Sequence, residues 1–106
     1  MGFFDLFKQP DFSQGIKDYQ NAQGAVLLDV RTPQEFKSGH IPQSKNIPLQ
    51  TIEKVSSVVK NKDTALYVYC QSGARSRQAA SVLKGMGYTN VKNIGGIAAY
   101  TGSVVK

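Results

Sequence analysis

The single cysteine of the chain, Cys70, lies in the stretch YVYCQSGARSRQAASVLKGMG, residues 67–87. An apolar run precedes it, the loop QSGAR follows, and a helical pattern begins near Ser76. Ligands of open α/β sheets bind beyond the carboxyl ends of strands, and Cys70 ends the most apolar run of the sequence. Ser72, Gly73 and Ala74 are small enough to let backbone N–H groups curl toward one point. A helix N-terminus behind them adds its dipole, so the segment reads as an anion cradle. The same field favours thiolate over thiol at Cys70. A lone cysteine after a buried strand is otherwise a small core residue. Here the glycine-containing loop, Arg75 and the helix start together point to a nucleophile. Arg75 closes the loop and is expected to face inward, whereas Arg77 is expected to be a solvated helix residue. His40 is the only histidine, so a cysteine–histidine or serine–histidine arrangement has no other base to draw on, and that chemistry is set aside.

Four residues, Gln71, Ser72, Gly73 and Ala74, separate Cys70 from Arg75. The corresponding loop of protein tyrosine phosphatases is one residue longer, with room for a phosphate, and Ser76 stands at that spacing here. The shorter loop suits a sulfur atom carried on the cysteine. A phosphatase or arsenate reductase is the more remote alternative.

The elements around this loop read as alternating strands and helices. GAVLLDVR at 24–31 and TALYVYC at 64–70 are nearly continuous apolar runs, suited to strands buried on both faces of a parallel sheet. KNIPL at 45–49 and NVKNI at 90–94 are weaker strand candidates. SQGIKDYQNA offers a helix capped by Ser13, with Ile16 and Tyr19 on one face. In TPQEF, Thr32 can cap, Pro33 occupies the first helical position and Glu35 completes a capping box, with Gly39 as the stop. TIEKVSSVVK places Ile52, Val55, Val58 and Val59 on one helical stripe, and the helix after Cys70 places Ala79, Leu83 and Met86 on another, ending at Gly87. Such alternation predicts one α/β domain spanning residues 1–106.

Composition narrows the functional classes. With 106 residues, 41% hydrophobic and 19% charged, the chain is expected to fold as a single globular unit. One cysteine allows no internal disulfide, and no Cys/His cluster has metal-ligand spacing, so neither a metal nor a cofactor is expected. The net charge of +6 is uneven: residues 1–53 carry 5 Lys/Arg against 6 Asp/Glu, and residues 54–106 carry 8 against 1. The basic half contains Cys70, which favours small anions or acidic partners. The scattered basic residues follow no nucleic-acid-binding pattern. MGFFDLFK lacks a cationic segment ahead of an apolar stretch, and no run approaches bilayer-spanning length, so a cytoplasmic monomer without membrane contact is expected. The cluster Phe3, Phe4, Phe7 and Phe12 is expected to pack on the domain as an apolar lead-in over residues 1–12.

Four segments together resemble the rhodanese-like sulfurtransferases: LLDVRTPQEFKSGHIPQSKNIP at 27–48, VYCQSGARS at 68–76, AASVLKGMGY at 79–88 and VKNIGGI at 91–97. The resemblance covers about Ala25 to Tyr100. It implies an α/β rhodanese fold with a central, mostly parallel five-stranded sheet flanked by helices on both faces, its first strand falling before Ala25. It also implies a six-residue active loop, Cys70 to Arg75, in which Cys70 forms a persulfide. Sulfur would pass from a small anionic donor, thiosulfate or a persulfide, to a thiol or cyanide acceptor. Gln71, Ser72, Gly73, Ala74, Arg75 and Ser76 would form the anion-binding loop. A rhodanese-like module that binds or regulates without turnover is the competing reading.

Among the other matching residues, Asp29 and Arg31 are read as a supporting ion pair in preference to a substrate contact. Glu35 is read as the capping partner of Thr32, and His40 as a residue that fixes a turn. Gly95 and Gly96 are read as permitting a tight turn or close backbone approach. Gln43 and Ser44 stand where the family commonly shows Gly and Ala, and Tyr100 where it often shows Trp, with consequences for packing. Gln71 stands where many thiosulfate-using members carry Arg or Lys, which weakens the expectation of thiosulfate as the donor.

Overall fold

The computed structural model describes residues 10–106. Phe3, Phe4 and Phe7 of the apolar lead-in lie outside the described residues. Helix α1, Phe12–Asn21, starts at Asp11, whose side chain accepts the Gln14 N–H at 3.2 Å. The cap is therefore Asp11 and not Ser13, because the carboxylate lies one residue ahead of buried Phe12 and takes the orphan N–H of Gln14. Strand β1, Val26–Asp29, leads to helix α2, Pro33–Ser38. Both halves of its capping box form: Glu35 N–H donates to Thr32 Oγ1 at 3.2 Å, and Thr32 N–H to Glu35 Oε1 at 2.9 Å. Strand β2 is short, Lys45–Asn46, and is followed by a 3-10 turn, Leu49–Lys54, that runs into helix α3, Val55–Val58. Strand β3, Leu66–Cys70, helix α4, Ala74–Gly85, strand β4, Val91–Gly96, and a 3-10 turn, Ile97–Ala99, complete the order.

The four strands form one parallel sheet in the order β2-β1-β3-β4. Among the described residues the sheet has four strands, where five were expected. No strand precedes β1 among the described residues, and Ile16 and Tyr19 lie on α1, the helix expected there.

Alternation along the strands divides the core. Leu28, Val30, Val68 and Cys70 face α3 and α4, packing with Ile52, Val55, Ala79 and Leu83. Leu27, Tyr67 and Tyr69 face α1, packing with Phe12, Ile16 and Ile94. Helices thus cover both faces, and β3 is buried along its whole length. The buried side chains each contribute on the order of 1.5–3 kcal/mol. Val58 departs from its expected stripe and is half exposed, because residues 49–54 wind as a 3-10 turn with a different angular step. Tyr100 packs edge-on against Phe12, which in turn meets Tyr69.

Candidate active site

Cys70 closes β3, and the chain turns at once into α4. Gly73 takes a φ of +101°, a conformation open to glycine, and becomes the helix N-cap. The helix therefore begins at Ala74, two residues before the expected start, and the loop is drawn into its first turn. Arg77 N–H is the first to bond back within the helix, to Gly73 O at 3.1 Å. The N–H groups ahead of it have no helical acceptor.

The Cys70 sulfur takes one of them. Gly73 N–H donates to Sγ at 3.0 Å. Burial pushes the thiol pKa up. The Ser76 hydroxyl and the N–H groups of Ser76, Gly73 and Ser72 outweigh it, leaving the thiol below its ordinary value. Cys70 has no exposed surface, so the donors act at short range on a buried sulfur.

Gly96 shapes the other side of the loop. It pairs in register with Cys70 across β3 and β4. A Cβ placed on Gly96 would meet Ser72 Cα at 2.7 Å and the Gln71 carbonyl carbon at 2.8 Å. Gly95 takes a φ of +101° beside it. Both glycines serve the roles expected of them: close approach at Gly96 and a positive φ at Gly95.

Two ion pairs tie the loop down. Asp29 and Arg31 are both buried, and Arg31 Nη2 lies 2.7 Å from Asp29 Oδ2. Arg31 Nε and its backbone N–H also donate to the carboxylate. The remaining guanidinium N–H groups reach Gly39 O at 2.8 Å and Gln71 Oε1 at 3.3 Å. The supporting reading of Asp29 and Arg31 matches this geometry, and Gln71 is joined to the pair. Asn46, which the sequence did not single out, donates to the carbonyls of both Asp29 and Arg31.

Arg75 makes the second pair, with Glu35 on α2, at 2.7 and 2.9 Å through both nitrogens. Its side chain is thus bound across the mouth by a carboxylate in a bidentate fork. Glu35 has two tasks where one was expected, since it also completes the cap of α2. Arg75, with the cap of Thr32 behind it, holds the Glu35 carboxyl at about 2. Arg77 is exposed, as expected.

Ser76 is fully buried. Its hydroxyl lies 2.7 Å from Asn93 Oδ1 and 3.0 Å from Gly73 O. His40 stacks on Phe36 and bonds Phe36 O through Nδ1, and its backbone pairs with Val105, which fixes the turn. Gln43 takes a φ of +73°, and Ser44 bonds the buried Tyr69 hydroxyl. Among the described residues no group of three His, Cys, Asp or Glu side chains could hold a metal, and no helix is long and apolar enough to cross a membrane.

Residues 12–103 match the family model of the rhodanese-like domain. The chain is 39% identical over 71 residues to thiosulfate sulfurtransferase PspE of Escherichia coli, covering 66% of this chain and 68% of that one. It is 39% identical over 90 residues to a sulfurtransferase of Allochromatium vinosum, covering 83% and 79%. A solved structure described as rhodanese with anions from E. coli superposes with a TM-score of 0.72 at 36% identity, covering 77% of this chain and 98% of that one. By these matches the chain belongs to the rhodanese-like domain family.

Proposed function

We propose that the protein is a sulfurtransferase that carries a sulfane sulfur on Cys70 as a persulfide. The observation that carries the reading is the cradle itself: a sulfur at the N-terminus of α4, 3.0 Å from the Gly73 N–H, with its thiolate form favoured. The curated relatives named as thiosulfate sulfurtransferases support the same class of reaction.

In the first step the Cys70 thiolate attacks the outer sulfur of thiosulfate or of another sulfane donor. The donor's S–S bond breaks, its electron pair leaves with sulfite or the donor thiolate, and Cys70 holds a persulfide anion. The loop N–H groups stabilise that charge without reorganising. In the second step a thiolate or cyanide attacks the terminal sulfur, the Cys70–sulfur bond breaks, and the Cys70 thiolate returns. Cys70 is the only cysteine of the sequence, so the acceptor comes from outside the chain.

The full burial of Cys70 gives the loop a part in this cycle. Gln71 is tied to Arg31 and Arg75 to Glu35, and between them Gly73 N–H is held on the Cys70 sulfur. Arg75, already paired, assists an anionic donor only by sharing or leaving Glu35. The same burial favours a second reading, a rhodanese-like module that binds a partner without turnover.

Thiocyanate production from thiosulfate and cyanide, compared between the protein and Cys70→Ala, separates the two. Turnover by the wild type that vanishes in the variant supports transfer through Cys70. No transfer by the wild type from thiosulfate or an organic persulfide contradicts it and favours the binding module.

A further inference from the structure

A groove of about 250 Å³ runs beside the start of the candidate active loop. Gln71 and Ser72, the two residues after Cys70, line it together with Ala98 and Ala99 of the last 3-10 turn. Pro10 and Phe12, around the start of α1, and the glycines that end β4 complete the lining.

Those two glycines keep the groove open. A Cβ on Gly95 would come within 3.5 Å of Pro10 O, and one on Gly96 would run into the Gln71 carbonyl and Ser72 Cα. The walls are fixed in place. Ala98 N–H donates to Gln71 O at 3.1 Å, and the Phe12 ring meets Tyr69 and Tyr100 edge-on. Gly96 pairs in register with Cys70, so this end of the groove is one strand spacing, ~4.8 Å, from the Cys70 backbone.

The chemistry of the lining is apolar and neutral. None of the lining side chains is charged, and the arginines that tie the loop are engaged, Arg31 by Asp29 and Arg75 by Glu35. A dianion such as thiosulfate therefore finds no counter-charge in the groove. A carbon chain finds the Phe12 ring, the Pro10 ring and two exposed alanine methyls. The volume falls below the ~300–1,000 Å³ of drug-sized sites, so the groove suits a short chain and not a folded partner.

We infer that the groove is an acceptor subsite: it holds the uncharged carbon chain of a small organic thiol while that thiol discharges the Cys70 persulfide. The acceptor thiolate forms a bond to the terminal sulfur, the bond from that sulfur to Cys70 Sγ breaks, and its electron pair stays on Sγ. The acceptor leaves as an organic persulfide. This assignment rests on the reading of Cys70 as the sulfur carrier and adds to it the class of acceptor.

The test loads Cys70 with sulfur from thiosulfate or an organic persulfide and follows discharge by mercaptohexanol and by mercaptoethanol, read by intact mass. The ratio of the two second-order rate constants is compared between proteins, so the intrinsic reactivity of the thiols cancels. Partial burial of the four extra methylenes is expected to make the wild-type ratio about tenfold larger than that of Ala99→Phe, which fills the groove. Ala98→Glu, which places a charge there and keeps the N–H to Gln71, is expected to lower the ratio similarly and covers the case in which Ala99→Phe does not fold. Hexanol, which has no thiol, is expected to shift the amide resonances of Gly95, Gly96, Ala98 and Ala99 in the wild type, where ethanol at the same concentration does not. Discharge with the same ratio in the wild type and both folded variants, or no hexanol shift at these amides, overturns the subsite and leaves sulfur transfer through Cys70 standing. A wild type that takes up no sulfur from either donor overturns the reading beneath it, whatever hexanol does.

Discussion

Replacing Glu35 by Gln removes one charge from the pair that ties α2 to the start of α4 and leaves a side chain that still accepts the Thr32 N–H. Pairing with Arg75 is the largest cause holding the Glu35 carboxyl down from 4.5 to about 2, helped by the Thr32 cap and opposed by burial. At about 1.4 kcal/mol per pKa unit, the whole shift corresponds to roughly 3 kcal/mol. Both side chains keep about a third of their surface, 33% for Arg75 and 31% for Glu35, so solvent screening reduces the contribution to about 1–2 kcal/mol. In a domain of this size that lowers Tm by roughly 5–10 °C near neutral pH. The folded-state pKa is depressed, so the stabilisation is complete above the unfolded carboxyl value of ~4.3 and is lost as pH falls through about 2. Urea unfolding of the wild type and Glu35→Gln at pH 7, 4 and 2 measures this directly. A gap of about 1–2 kcal/mol that closes toward pH 2 is the expected result. Equal stabilities at pH 7, or a gap that stays constant down to pH 2, refutes the assignment of the pair as a stabilising tether.

Two further substitutions test the local backbone. Gly96→Ala drives a methyl into the backbone of Ser72 and Gln71, so it is expected to destabilise by about 1–3 kcal/mol and to raise Cys70 alkylation by displacing the loop, read by unfolding and by iodoacetamide rates. Gln43→Gly relieves a non-glycine residue held at a φ of +73° and is expected to stabilise by about 1 kcal/mol in the same unfolding assay, leaving sulfur transfer unchanged.

Features set by neighbours in the chain were legible in the sequence. Thr32, Pro33 and Glu35 lie within one helical turn, so the capping box could be read from spacing alone. Cys70 at the end of an apolar run, with Gly73 three residues on, declared the loop. What spacing did not reveal depends on distant partners. Glu35 and Arg75 are 40 positions apart, and only the packing of α2 beside α4 brings them together. Asn93 reaches Ser76 beside a bulge in the pairing of β4 with β3, and nothing in NVKNI announces that bulge; only Gly95 after it hints at one. The stripe through Val58 failed because a 3-10 turn and an α-helix share the same apolar residues but not the same angular step. The cap of α1 falls at Asp11 rather than Ser13 because the helix takes in Phe12, whose ring fills the core against Tyr69.

The most direct test of the account is the intact mass of the protein after incubation with thiosulfate and removal of excess reagent. The expected result is a gain of one sulfur atom on the wild type, absent from Cys70→Ala and discharged by cyanide. A wild type that gains no sulfur from thiosulfate or from an organic persulfide, or a Cys70→Ala variant that gains as much, contradicts the claim that Cys70 carries the sulfur.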